Sequence, residues 1–249
     1  MTDRAYTHID RGLARVANRW LERQWSTLQG ATVALVDRTA GIDWLGQTSP
    51  EISFELDGSP VDTMALGPVD WSEEADAHGA TLLAARAGQG VRVITRTLAF
   101  HATPCMMRSV FVTNLTRQPR RLTRVMVDGL TVVRDGVRVL THEFSEEHAA
   151  VEAPHEDRAV ALVKGPRGLL LGRVDRGALQ VFSHDPEVCA VVLAEEKVLA
   201  PVETWVLPET FLAPCAGREN AARVLAECLS ARARMTDERE KLKSDRAGE

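Results

Sequence analysis

The chain has 249 residues, a net charge of −5, 45% hydrophobic and 26% charged residues, the balance of a globular protein with material for a large core. That acidic balance, with no Lys/Arg stripe interleaved by aromatics, argues against nucleic-acid binding. No stretch approaches the ~18 apolar residues of a membrane helix, so no membrane partner is expected.

The opening MTDRAYTHIDRGLARV has no apolar signal core, which points to the cytoplasm. Gly12 to Leu28 can be read as a helix, with Leu13, Val16 and Trp20 near one face, or as strand–turn–strand about Asn18-Arg19. The second reading is preferred, because Thr32 to Val36 is β-branched and ends in the turn-forming DRTAG, after which Ile42-Asp43-Trp44-Leu45 resumes an extended run. Glu51 to Leu56 alternates Ile52, Phe54 and Leu56 against Glu51, Ser53 and Glu55, a strand with one wet face. Asp57 to Asp76 is rich in turn formers and sets Trp71 in polar surroundings.

Ala80 to Ala87 is a further strand. Val91 to Val133 then reads as three consecutive strands of one large antiparallel sheet, turning at His101–Cys105 and at Asn114–Pro119. In the third strand Thr123, Val125 and Val127 alternate with Leu122, Arg124, Met126 and Asp128, so that one register is consistently apolar. Asp135-Gly136 is a hairpin signal between Leu130–Val133 and Val137–Leu140. Thr141 to Asp157 reads as a long polar surface loop. Five apolar runs follow: Ala159–Val163, Gly168–Val174, Ala178–Phe182, Val188–Leu193 and Thr204–Leu212. So many short strands at close spacing mark a sandwich and not βαβ units. Gly217 to Met235 sets Ala221, Val224, Leu225, Cys228 and Leu229 on one helical face, and the charged tail beyond Met235 is expected to fray. The expected organisation is a sandwich domain over 1–216, with the helix and tail over 217–249.

Several segments resemble a known family. NRWLERQW, TVALVDRTAGIDWL, SPEISFEL and PCMMRSVFVTNLTRQPRRLTRV, closed by ETWVLPETFLAPCAGRENAARVL, resemble the N-terminal β-supersandwich domain of family 36 α-galactosidases, of the galactose-mutarotase-like superfamily. The likeness runs from about Gly12 to Leu229 and rests on strand and turn patterns. It implies an all-β fold, a large antiparallel β-supersandwich with a C-terminal amphipathic helix. In those glycosidases two carboxylates act in a (β/α)₈ barrel of ~250 residues. The present 249 residues hold neither that barrel nor a Lys-Trp-Asp nucleophile motif, so glycosidase chemistry is not expected of them.

Three functions remain open. Weak saccharide binding, as an accessory to a glycoside-processing system, would use Trp44 and Trp71 as ring platforms with Asp43, His142 and Glu143 fixing hydroxyls. Mutarotase-like catalysis would need an acid, His142 or His184, and a base, Glu143, Glu203 or Glu209. A partner-binding scaffold or homo-oligomer would use a sheet edge or the terminal helix. Against these stand plainer readings: Trp44 as core, Trp20, Trp25 and Trp205 as packing, and the histidine-bearing loop as a solvated acidic segment. The cluster from His142 to Glu156 lacks ligand spacing, no nucleotide loop is present, and neither metal nor cofactor is expected. Cys105, Cys189, Cys215 and Cys228 lie far apart and read as reduced thiols. Asn114-Leu115-Thr116 is accordingly read as a turn and not as a glycan site.

Overall fold

A computed structural model describes residues 4–46, 49, 52–62, 66–133, 136–141, 144, 146–148, 154–155, 158–175, 177–184 and 187–247. Among them the chain forms three antiparallel sheets and one helix. The first sheet is a meander of Tyr6–Ile9, Leu13–Ala17, Leu21–Ser26, Thr32–Asp37 and Ile42–Asp43, each strand pairing with the next. Gly12 to Leu28 is therefore strand–turn–strand. The side chain of Asn18 makes the turn, its Oδ1 accepting from the N–H groups of Trp20 and Leu21 at 2.9 and 2.8 Å.

The ten-stranded sheet runs Glu146–His148, Val137–Thr141, Ala159–Lys164, Arg167–Arg173, Thr210–Cys215, Met106–Asn114, Val91–Phe100, Gly79–Gly88 and Asp70–Ala75, with Thr204–Val206 also paired to Met106–Asn114. The seven-stranded sheet runs Pro154–His155, Leu179–His184, Glu187–Ala194, Arg120–Val133, Ser53–Leu56 and Ser59–Asp62, with Lys197–Leu199 on the start of Arg120–Val133.

Five sequence expectations change here, one being that Thr141–Asp157, read as a single polar loop, contains the short edge strands Glu146–His148 and Pro154–His155. Val91–Phe100 and Met106–Asn114 pair as expected, but Arg120–Val133 crosses to the seven-stranded sheet. The strands on either side of Asp135-Gly136 consequently pair in different sheets and not with each other, since Val137–Thr141 pairs with Glu146–His148 and Ala159–Lys164; Asp135 itself lies outside the described residues. The turn-rich stretch after Asp57 contains the strands Ser59–Asp62 and Asp70–Ala75. Asp57-Gly58 is the true Asp-Gly hairpin, both residues at positive φ (52° and 83°), as a two-residue primed turn requires. Finally, the helix does not stop at Met235 but continues as Gly217–Ala247.

One core joins all three sheets. It takes Val16, Leu21 and Leu35 from the meander, Val93, Val110, Leu169 and Leu171 from the ten-stranded sheet, and Leu122, Val127 and Leu130 from the seven-stranded sheet. A second core lies on the other face of the ten-stranded sheet. There Ala221, Val224, Cys228, Ala231 and Met235 of the helix cover Leu98, Phe100, Met107, Leu170 and Phe211. This explains the unbroken apolar reading of Arg167–Arg173: Leu169 and Leu171 point into the sandwich, Leu170 points under the helix, and none is exposed. The helix thus covers the sandwich itself.

Candidate functional site

The apolar run expected as one strand over Thr204–Leu212 is broken into Thr204–Val206 and Thr210–Cys215. Pro208, which has no N–H to give to a ladder, sits in the break. Leu207 still donates to the Val110 carbonyl at 2.9 Å, and the Glu209 carbonyl accepts from Val174 N–H at 2.9 Å. The interruption opens a cleft of about 870 Å³ between this part of the ten-stranded sheet and Leu193–Glu195 of the seven-stranded side.

Two ion pairs and one indole dominate its wall. Glu209 Oε1 accepts from Ser109 Oγ at 2.8 Å, while its Oε2 accepts from Nε of Arg232 on the helix. Arg173, only 8% exposed, donates through Nε and Nη2 to Asp175 at 3.3 and 2.9 Å and through Nη1 to the Leu193 carbonyl at 3.1 Å. Trp205 is half-buried, with Lys197 Nζ 5.8 Å from its ring centre. Lys197 also reaches Glu203 at 2.8 Å, and that hydrogen bond holds the Glu203 carboxyl below its usual range. Carboxylates that accept, guanidiniums that donate and an aromatic face are the groups that orient a polyhydroxylated ring.

Those residues expected from sequence that the structure describes lie elsewhere. Trp44 is 4% exposed and belongs to the core, so it presents no open face. Asp43 is exposed, but its Oδ1 accepts from Leu35 and Leu45 N–H, both at 3.1 Å, and so braces the meander. Trp71 is half-buried against Trp25, ring centres 6.3 Å apart, and donates from Nε1 to the Thr27 carbonyl at 3.2 Å. His142 and Glu143 lie outside the described residues, as does the side chain of His184. Glu209 is the one candidate base that lines the cleft, and no imidazole stands beside it among the described lining residues. Trp205 packs against the main core, as its place in a strand pattern suggested, and also lines the cleft; Arg173, Asp175 and Arg232 were not among the sequence candidates, and Pro208 inside an apolar run was the available signal.

A second polar group sits in the core. Asp128 is 1% exposed because the strand Arg120–Val133 bulges between Met126 and Asp128, which turns Asp128 inward although it lies outside the apolar register of Thr123, Val125 and Val127. Its carboxylate accepts from Arg23 Nη2 at 3.0 Å, Arg108 Nη1 at 2.9 Å and Thr210 Oγ1 at 3.1 Å. Burial pushes its pKa up, but the two guanidiniums and the hydrogen bonds outweigh this and hold the carboxyl below its ordinary value. No group of three His, Cys, Asp or Glu placed to hold a metal occurs among the described residues. No described helix is long and apolar enough to cross a membrane.

No protein-family model matches the chain, and no curated protein matches it in sequence. Solved structures do match. A family 36 α-galactosidase of Geobacillus stearothermophilus superposes with a TM-score of 0.61 at 12% identity, over 84% of this chain and 41% of that one. The α-galactosidase of Lactobacillus brevis gives 0.63 at 9% identity, over 85% and 40%. A galactose mutarotase-like protein of Lactobacillus casei gives 0.54 at 9% identity, over 82% of this chain and 100% of that one. The chain shares the β-sandwich fold of these solved structures. The chain spans about two fifths of the length of the α-galactosidases it matches.

Proposed function

We propose that the chain binds a saccharide in the cleft beside Pro208, without transforming it, as an accessory to a cytoplasmic glycoside-processing system. The observation that carries this is the wall of that cleft, where Trp205 stands beside the Glu209–Arg232 and Arg173–Asp175 pairs. The ring packs on the indole, the two carboxylates accept from its hydroxyls, and the two guanidiniums donate to them. Solved structures with this fold include proteins named α-galactosidases and a galactose mutarotase-like protein, which supports the ligand class. A second reading, mutarotase-like catalysis, draws on Glu209 as a base already inside the cleft.

The test is a thermal-shift and calorimetric screen of mono- and oligosaccharides. A sugar at ~100 times its dissociation constant should stabilise the fold by about 2.7 kcal/mol. Trp205→Ala and Glu209→Gln should each weaken it roughly tenfold or more. A flat response across the panel sinks both sugar readings and leaves a partner-binding scaffold. Faster anomer interconversion that disappears in Glu209→Gln replaces simple binding with catalysis.

A further inference from the structure

The helix covers only part of the outer face of the ten-stranded sheet. Its core takes Leu98 and Phe100 from Val91–Phe100 and Met107 from Met106–Asn114. Four residues further along the same face the registers set a second apolar row. Ile94 lies opposite Phe111 on one side and Ala85 on the other, and Phe111 lies opposite Val206. Directly opposed residues of antiparallel strands share a face, so these four form one row across four neighbouring strands. At ~4.8 Å per strand the row is about 14 Å long. Val206 is 58% exposed, the other three are partly exposed, and none of the four belongs to either core. A contiguous apolar row left at the surface marks an interaction site more often than a solvated one.

Each neighbouring row is built around an arginine. On one side exposed Arg92 stands between Thr113 and Ala87; on the other Arg96 stands between Ser109 and Leu83. Ser109 Oγ donates to Glu209, which Arg232 of the helix also holds, so the helix borders the Arg96 row. An apolar stripe one residue wide, with a guanidinium on either side of Ile94, does not match another sheet, whose apolar face extends in two directions. It matches the stripe of a helix, where residues i, i+3, i+4 and i+7 span about 10 Å. A second copy of this chain seated face to face over Ile94 would bring the arginines of both copies together, which like charge disfavours.

We infer that this band of the sheet is the docking surface for an amphipathic helix of a partner protein, one whose aliphatic stripe is flanked by Asp or Glu. The stripe packs on Phe111 and Ile94, and the acids on its two flanks meet Arg92 and Arg96. The partner helix then lies beside Gly217–Ala247 on the same face of the sheet. The surface goes beyond sugar binding: of the apolar row and the two arginines, only Val206 also lines the cleft beside Pro208.

The experiment uses two synthetic helical peptides of about 18 residues, with the same leucines at i, i+3, i+4 and i+7 and either Glu or Lys as flanks. Each is labelled and titrated with the full chain, raised to about 1 mM, by fluorescence anisotropy. The Glu-flanked peptide is expected to bind, and the Lys-flanked one roughly tenfold more weakly or worse. Ile94→Thr with Phe111→Thr, which keeps β-branched residues in both strands, should abolish binding. Arg92→Glu, at an exposed position, should weaken the Glu-flanked peptide about tenfold and strengthen the Lys-flanked one, with the melting temperature in place. That second variant separates loss of the surface from loss of the fold. The inference is overturned if neither peptide binds, if the two bind equally, or if Arg92→Glu leaves the preference unchanged. A dimer of the full chain in sedimentation that the double threonine variant dissociates would give the face to a second copy and overturn it as well. None of these outcomes bears on sugar binding beside Pro208.

Discussion

Arg23 grips Asp128 across 105 residues of sequence, Nη2 to Oδ1 at 3.0 Å and Nη1 to Oδ2 at 3.4 Å. Arg23 belongs to the meander and Asp128 to the seven-stranded sheet, while Arg108 and Thr210, which share the same carboxylate, belong to the ten-stranded sheet. One buried side chain thus ties all three sheets together. Asp128→Ala leaves two guanidiniums in the core without their anion and should cost about 3–5 kcal/mol. Urea denaturation of the variant measures it; a change below about 1 kcal/mol would show that the network is dispensable.

The same carboxylate sets an acid limb. Its native pKa lies below the ordinary 3.8, so its stabilising contribution is present above that value and lost as pH falls through the native pKa. Denaturation curves taken from pH 5 downward should therefore fall steeply in the natural chain and less steeply in Asp128→Asn, which has no proton to take up. Equal slopes would assign the acid limb to other groups.

Cys215 sets the opposite limb. Burial first, and the nearby Asp37 charge second, push its thiol from 9.0 up to about 12. A raised native pKa stabilises fully below the unfolded value and is lost as pH rises from about 9 towards about 12. Cys215→Ala should flatten stability between pH 9 and 11 relative to the natural chain. The thiol should also resist alkylation at pH 8 unless the chain is unfolded.

Val224 is 3% exposed and packs with Phe211 and Leu170 in the second core. Val224→Asp places a charge there with no partner, and should lower stability by about 2–4 kcal/mol and raise binding of a hydrophobic dye. A variant with the natural melting temperature and no dye signal would mean that the helix is not held by this face.

Much of the fold was legible because local chemistry and tertiary burial agree. Ile52, Phe54 and Leu56 are buried and Ser53 and Glu55 are not, as their alternation required. The two Asp-Gly pairs show where legibility ends. Asp57-Gly58 closes a hairpin, whereas the strands on either side of Asp135-Gly136 belong to different sheets, and nothing local in the sequence separates the two pairs, because sheet membership is decided by distant partners. Asp128 was not legible for a related reason: a bulge shifts the alternation by one, and a residue outside the apolar register of Thr123, Val125 and Val127 becomes the centre of the core network. The site was less legible than the fold. Glu209 stood among the candidates only as one of several bases, while Arg173 and Arg232 come from a strand and a helix that only folding brings to one cleft.

The double burial of Arg167–Arg173 carries a hazard of its own. Between Ala159 and Leu171 the chain offers two neighbouring strands of small and branched apolar residues, the composition that self-associates when exposed. During synthesis the helix that shields one face is made last among these elements, so Leu170 and Phe211 stand uncovered while Gly217–Ala247 is still emerging. The charges Lys164, Arg167 and Arg173 bracket the strands, where they act as gatekeepers against cross-chain stacking until the helix arrives.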